Sequence, residues 1–98
     1  MWRGEGVGSG QNWVDVTASR TFGAPYTNNT GRPIQISLSV FSGVAGGNFY
    51  HTVNGLEQIH LGAGGYNGQT ISFIVPNNQT YSARTDASFT IAKWFELR

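Results

Sequence analysis

Acid–base chemistry in this chain would have to come from Glu5, Asp15, Glu57, Asp86 and Glu96, which sit in separate segments with no spacing that pairs them. They read as solvated surface charges. Ser and Thr are abundant, but no Gly-x-Ser-x-Gly turn surrounds any of them, and there is no Cys to serve as a nucleophile or thiolate ligand. The side-chain inventory argues against catalysis.

His51 and His60 lie on the same face of an expected hairpin, diagonally across two strands, a relation that puts Cα atoms roughly 7–8 Å apart. Two imidazoles so placed are within reach of one metal ion, yet two ligands do not complete a coordination sphere. Only three copies of one His on the axis of a symmetric trimer would do so. Ordinary hydrogen bonding is the expected role, with no metal and no other cofactor. The glycine-rich stretches 4–8 and 62–65 lack the flanking strand and helix and the Lys-Ser or Lys-Thr of a phosphate loop, so their glycines supply loop geometry.

The aromatic residues carry more information. Trp13, Phe41, Phe73 and Phe89 fit the buried faces of strands. Asn48-Phe49-Tyr50-His51 follows one glycine-rich loop and Tyr66-Asn67 lies within the next. Aromatic and amide groups on such loops stack on sugar rings and hydrogen-bond to hydroxyls at low entropic cost, which makes these six the candidate receptor- or glycan-binding residues.

Strands must position them. Between Pro33 and Phe41, Ile34, Ile36, Leu38 and Val40 alternate with Gln35, Ser37 and Ser39, a strand with one buried face. Trp13–Thr17 alternates more briefly. Phe49–Val53 and Leu56–Leu61 flank Asn54-Gly55, the pair that best supplies the two positive φ angles of a tight hairpin turn, with His51 facing Gln58. Gln69–Val75 and Thr80–Thr85 flank Pro76-Asn77-Asn78-Gln79. Ser88–Leu97 carries large apolar groups on both faces, one expected in the core and the other against a second chain. With no helical period, about seven or eight short strands predict an all-β antiparallel sandwich, jelly-roll-like, with no substantial helix.

Ninety-eight residues suit one domain, residues 11–98, behind a glycine-rich lead-in over 1–10. A domain this small, without disulfides, gains from oligomerisation. A net charge of +1, with 11% charged residues, offers no patch for nucleic acid. No apolar run is long enough to span a bilayer, and no secretory signal precedes the domain.

Gln11-Asn12-Trp13-Val14-Asp15-Val16-Thr17-Ala18-Ser19-Arg20, then Tyr26-Thr27-Asn28-Asn29-Thr30-Gly31-Arg32-Pro33-Ile34, then Val53-Asn54-Gly55, Phe73-Ile74-Val75-Pro76 with Tyr81, and finally Trp94-Phe95-Glu96-Leu97-Arg98 resemble, in order, the C-terminal domain of bacteriophage and prophage tail-fibre proteins. The resemblance covers residues 11–98, and the glycine-rich start fits an excised fibre tip. Arg20 and Arg32 are expected to brace the Tyr26–Gly31 turn through its carbonyls.

The resemblance implies a homotrimer on the virion, facing the host cell. Its loops would bind a bacterial surface polysaccharide or protein receptor, with no enzymatic activity, nucleic-acid binding or membrane insertion. Two other readings stand beside it: a structural domain that trimerises and caps the fibre, or a carbohydrate-binding module of a depolymerase.

Overall fold

The computed structural model describes residues 8–42, 48–61, 67–85 and 89–98. Eight strands, β1 (Trp13–Asp15), β2 (Tyr26–Thr27), β3 (Ile34–Ser42), β4 (Asn48–Val53), β5 (Leu56–Leu61), β6 (Asn67–Val75), β7 (Thr80–Thr85) and β8 (Phe89–Leu97), form two antiparallel sheets, with a single 3-10 turn at Thr17–Ser19. One sheet has the order β1-β8-β3-β6 and the other β2-β7-β4-β5. That order, two Greek keys wound into facing sheets, is a jelly roll.

Local chemistry sets the turns. Asn54 and Gly55 have φ of 52° and 79°, as the hairpin requires, and His51 pairs with Gln58 in the expected register. Asn78 takes the left-handed position between β6 and β7, with φ of 68°. The segment before β3 is organised by buried Asn28. Its Oδ1 accepts from the Thr30 backbone N–H and hydroxyl, and its amide donates to the carbonyls of Arg32 and Val75 at 2.8 and 2.9 Å. One side chain thus closes the turn and ties it to the end of β6.

Ile34, Ile36, Leu38 and Val40 face the interior as their alternation requires, meeting Phe49, Tyr81 and Ala83 of the opposite sheet. Strand β8 does not keep a single alternation. Ser39 pairs with Lys93 but Val40 with Ile91, so Ala92 is an extra, bulged residue. Phe89 and Ile91 point inward before the bulge, and Trp94 and Glu96 point inward after it. Phe95 and Leu97 are left on the outer face. Trp13 and Phe41, expected in the core, are also outside: Trp13 is 51% exposed beside its partner Leu97, and Phe41 follows Gln35, Ser37 and Ser39 on the outer face of β3. Phe73 and Phe89 are inside, as expected.

Glu96 is no surface charge. At 3% exposure its carboxylate accepts from Arg20 Nε and Nη2 at 3.1 and 2.9 Å, accepts from the Tyr81 hydroxyl, and meets Arg98 Nε at 3.2 Å. Burial and the bond to Glu96 push the Tyr81 phenol upward in pKa, so it stays a donor. Arg20 therefore engages the core, lying over the Tyr26 ring at 4.3 Å, and its link to a loop carbonyl is confined to Ser19. Arg32 reaches the Ser9 carbonyl, docking the part of the lead-in that is described.

Removing one partner of a buried ion pair strands the other charge. Arg20→Ala is expected to lower the unfolding free energy by about 3 kcal/mol in urea titrations. Arg84→Ala, which breaks the exposed pair with Glu57, should change it little. Equal losses in the two variants would contradict the central role given to Glu96.

Candidate functional site

The β4–β5 hairpin turns Phe49, His51 and Val53 toward the opposite sheet and Tyr50 outward. Across β5, His60 comes diagonally beside His51, as the sequence register requires, and His51 Nδ1 lies 2.6 Å from His60 Nε2. The two rings extend a stack that crosses the sandwich. Phe73 of β6 stacks on His51 at 4.1 Å, His51 on His60 at 4.9 Å, and His60 on Phe49 at 4.9 Å.

A hydrogen bond between two ring nitrogens needs one donor and one acceptor, so a doubly protonated pair cannot keep it. Burial lowers both imidazole pKa values, and the neighbouring His60 lowers that of His51 further. The two rings face the inter-sheet space between Phe73 and Phe49. Among the described residues, no group of three or more His, Cys, Asp or Glu is gathered for a metal.

At the Phe73 end of the stack the sandwich opens. β5 and β6 are both edge strands, and between them lies a cleft of about 500 Å³. His51 and Phe73 line its inner end, and Val53, Leu56 and Pro76 supply apolar walls. Asn54, Gln58 and Gln79 bring side-chain amides from the hairpin turn, from β5 and from the turn after β6. Among the described residues, no Asp, Glu, Lys or Arg lines the cleft.

The residues expected to bind a receptor are dispersed by this arrangement. His51 lines the cleft. Phe49 is a correction: it is fully buried, packed on His60 and Phe89, because it occupies an inward position of β4. Tyr50 lies on the outer face, covered by the Arg84 guanidinium at 3.8 Å while Arg84 is clamped to Glu57 at 2.7 and 2.9 Å. Asn48 begins β4 at the other end of the strand, and its carbonyl accepts from the Thr85 hydroxyl. Tyr66 is outside the described residues, and Asn67 enters only as the first backbone position of β6.

Of the carboxylates, Asp15 is bound to Thr17 and Glu57 to Arg84, each with a pKa lowered chiefly by that hydrogen bond, while Glu96 is buried. Glu5 and Asp86 lie outside the described residues. Sequence reasoning missed the three amides as a group. Their common signal was that Asn54 and Gln79 belong to the two turns that the strand pattern had already located.

No protein-family model matches the chain, and no curated protein matches its sequence.

The histidine pair sets a pH dependence. In the unfolded chain both residues return to the ordinary value of 6.5 and bind protons that the folded pair resists. Their contribution to stability is therefore complete above that value and declines as pH falls below it. The urea midpoint is expected to drop between about pH 7 and about pH 5, with a shallower drop in His60→Gln. A wild-type midpoint that stays level across that interval would contradict the assignment.

Proposed function

We propose that this domain is the receptor-binding tip of a bacteriophage tail fibre, a homotrimer on the virion that attaches to a polysaccharide or protein of the bacterial surface and catalyses no reaction. The observation that carries this reading is that the motifs behind the tail-fibre resemblance, far apart in the chain, are bonded to one another. Gln11 donates to the Pro33 carbonyl, Asn12 and Arg98 exchange backbone hydrogen bonds, Val16 and Thr17 bind the Trp94 backbone, Arg20 joins Tyr81 to Glu96, and Asn28 reaches Val75. A pattern that closes on itself in this way specifies one fold, which supports the resemblance as a whole and not only its separate words.

Trimerisation is supported by the outer face of β1 and β8. Exposed Trp13 stands beside Leu97, with Phe95 two pairs further along the same strands. The face carries one acid, Asp15 opposite Phe95, and one base, Lys93 opposite Ser39, so a second copy meets no excess of either sign. Association through this half leaves the opposite edge, between β5 and β6, open to a receptor.

One observation favours the capping reading: Phe49 is buried and Tyr50 is covered by Arg84, which removes two aromatic anchors from the receptor-binding set.

Sedimentation equilibrium should find a trimer for the wild-type domain and a monomer for the double variant Trp13→Ser, Leu97→Ser, with the far-UV spectrum unchanged. Adherence to host cells should fall with the trimer, since three linked weak sites outdo one by about 10²–10⁴-fold. A wild-type monomer at every concentration would remove the fibre-tip reading and favour an isolated carbohydrate-binding module. A trimer that adheres to no cells would leave capping.

A further inference from the structure

We infer that the cleft between β5 and β6 is a saccharide site that accepts an uncharged sugar ring, with the amides of Asn54, Gln58 and Gln79 reading its hydroxyls. This rests on the receptor-binding reading and moves the binding site away from the glycine-rich loops to the open edge of the sandwich.

Three features of the cleft select this ligand. The first is hydrogen-bonding character. Each amide presents a donor and an acceptor, as does each sugar hydroxyl, so adjacent hydroxyls on one ring can be met in both senses. A wholly apolar ligand would take water from three amides and return nothing, at a cost of the kind that excludes unpaired polar groups from binding sites.

The second is charge. With no Lys or Arg on the lining, a carboxylate or phosphate entering the cleft would lose hydration without gaining a counter-charge. With no Asp or Glu, an amino sugar cation would fare no better. The third is the apolar wall of Val53, Leu56 and Pro76, which fits the C–H face of a pyranose while the amides address its rim. The volume of about 500 Å³ lies inside the usual range of small-molecule sites, about 300–1,000 Å³.

The amides are also held in place. Asn54 N–H donates to the Thr80 carbonyl at 2.9 Å, which fixes the hairpin turn against the start of β7. Gln79 N–H donates to Pro76, and the Gln79 carbonyl accepts from Asn28 N–H at 2.9 Å. Two of the three amide-bearing residues therefore ride on turns bonded to the body of the sandwich, which reduces the ordering cost of binding.

Titration of the isotope-labelled domain with glucose, galactose, mannose, rhamnose and N-acetylglucosamine, followed by NMR, tests the site. At least one of these sugars should move the side-chain amide signals of Asn54, Gln58 and Gln79 saturably at millimolar concentration. Gln58→Ala with Gln79→Ala should weaken that response at least about tenfold. Both residues belong to an open surface cleft, so the backbone spectrum should persist, and Gln58→Glu is a second variant expected to weaken binding by placing a charge in the cleft.

No response at the three amides to any of the five sugars, or a response confined to glucuronate or sialic acid, would overturn the proposal. Cell adherence separates this from the broader reading. If the double glutamine variant adheres as well as the wild type, the cleft is not the site although receptor binding stands. If the wild type adheres to no cells while the amides still respond to sugar, the cleft stands and the fibre-tip reading falls.

Discussion

The buried carboxylate of Glu96 is the interaction on which the rest of the sandwich depends. It joins β8 in one sheet to Tyr81 of β7 in the other, and it draws Arg20 inward from the loop between β1 and β2. A charge at 3% exposure is tolerable only when fully partnered, and here a phenol and two guanidinium groups partner it. Its inward position follows from the bulge at Ala92. With unbroken alternation, the Phe89–Ile91 face would continue through Lys93, Phe95 and Leu97, placing a lysine in the core and expelling Trp94 and Glu96. One extra residue reverses that assignment and determines which aromatic groups remain outside.

The two edges of the sandwich consequently differ in character. On the side of β1, β8, β2 and β7, Trp94 is enclosed by Tyr26 and Tyr81, Glu96 is clasped, and Asn12 and Arg98 exchange backbone hydrogen bonds. On the side of β5 and β6 the sheets part, and the Phe73–His51–His60–Phe49 stack closes the interior behind the cleft. The locked edge ties the two sheets together and leaves Trp13 exposed on its outer face. The open edge presents neutral amides on rigid turns. On the proposed reading, stability and recognition belong to opposite ends of the same two sheets.

Much of this was legible in the residues. The alternation over Ile34–Val40, the Asn54-Gly55 turn and the left-handed Asn78 each express a local rule, and the hairpin register placed His51 beside His60 without any knowledge of the fold. What was not legible depended on distant partners. Glu96 reads as solvated until Arg20 and Tyr81 are brought to it, and nothing local marks Ala92 as a bulge. Trp13 reads as core because its size suggests burial, whereas the outward side of a three-residue edge strand leaves it half exposed. Phe49 reads as a binding aromatic because glycines precede it, although the expected strand starts at that residue; its inward direction emerges only from the packing of the two sheets. The cleft was not legible for a related reason: an opening between two edge strands is a property of topology, and its amide-bearing residues come from three segments that no sequence window contains.

Hydrogen–deuterium exchange on the intact domain, with and without purified host surface polysaccharide, tests most directly the claim that recognition belongs to the open edge. The account predicts slowed exchange over residues 53–58 and 71–79, with β1 and β8 unaffected by the polysaccharide. Protection confined to β1 and β8, with the cleft strands exchanging as before, would contradict it.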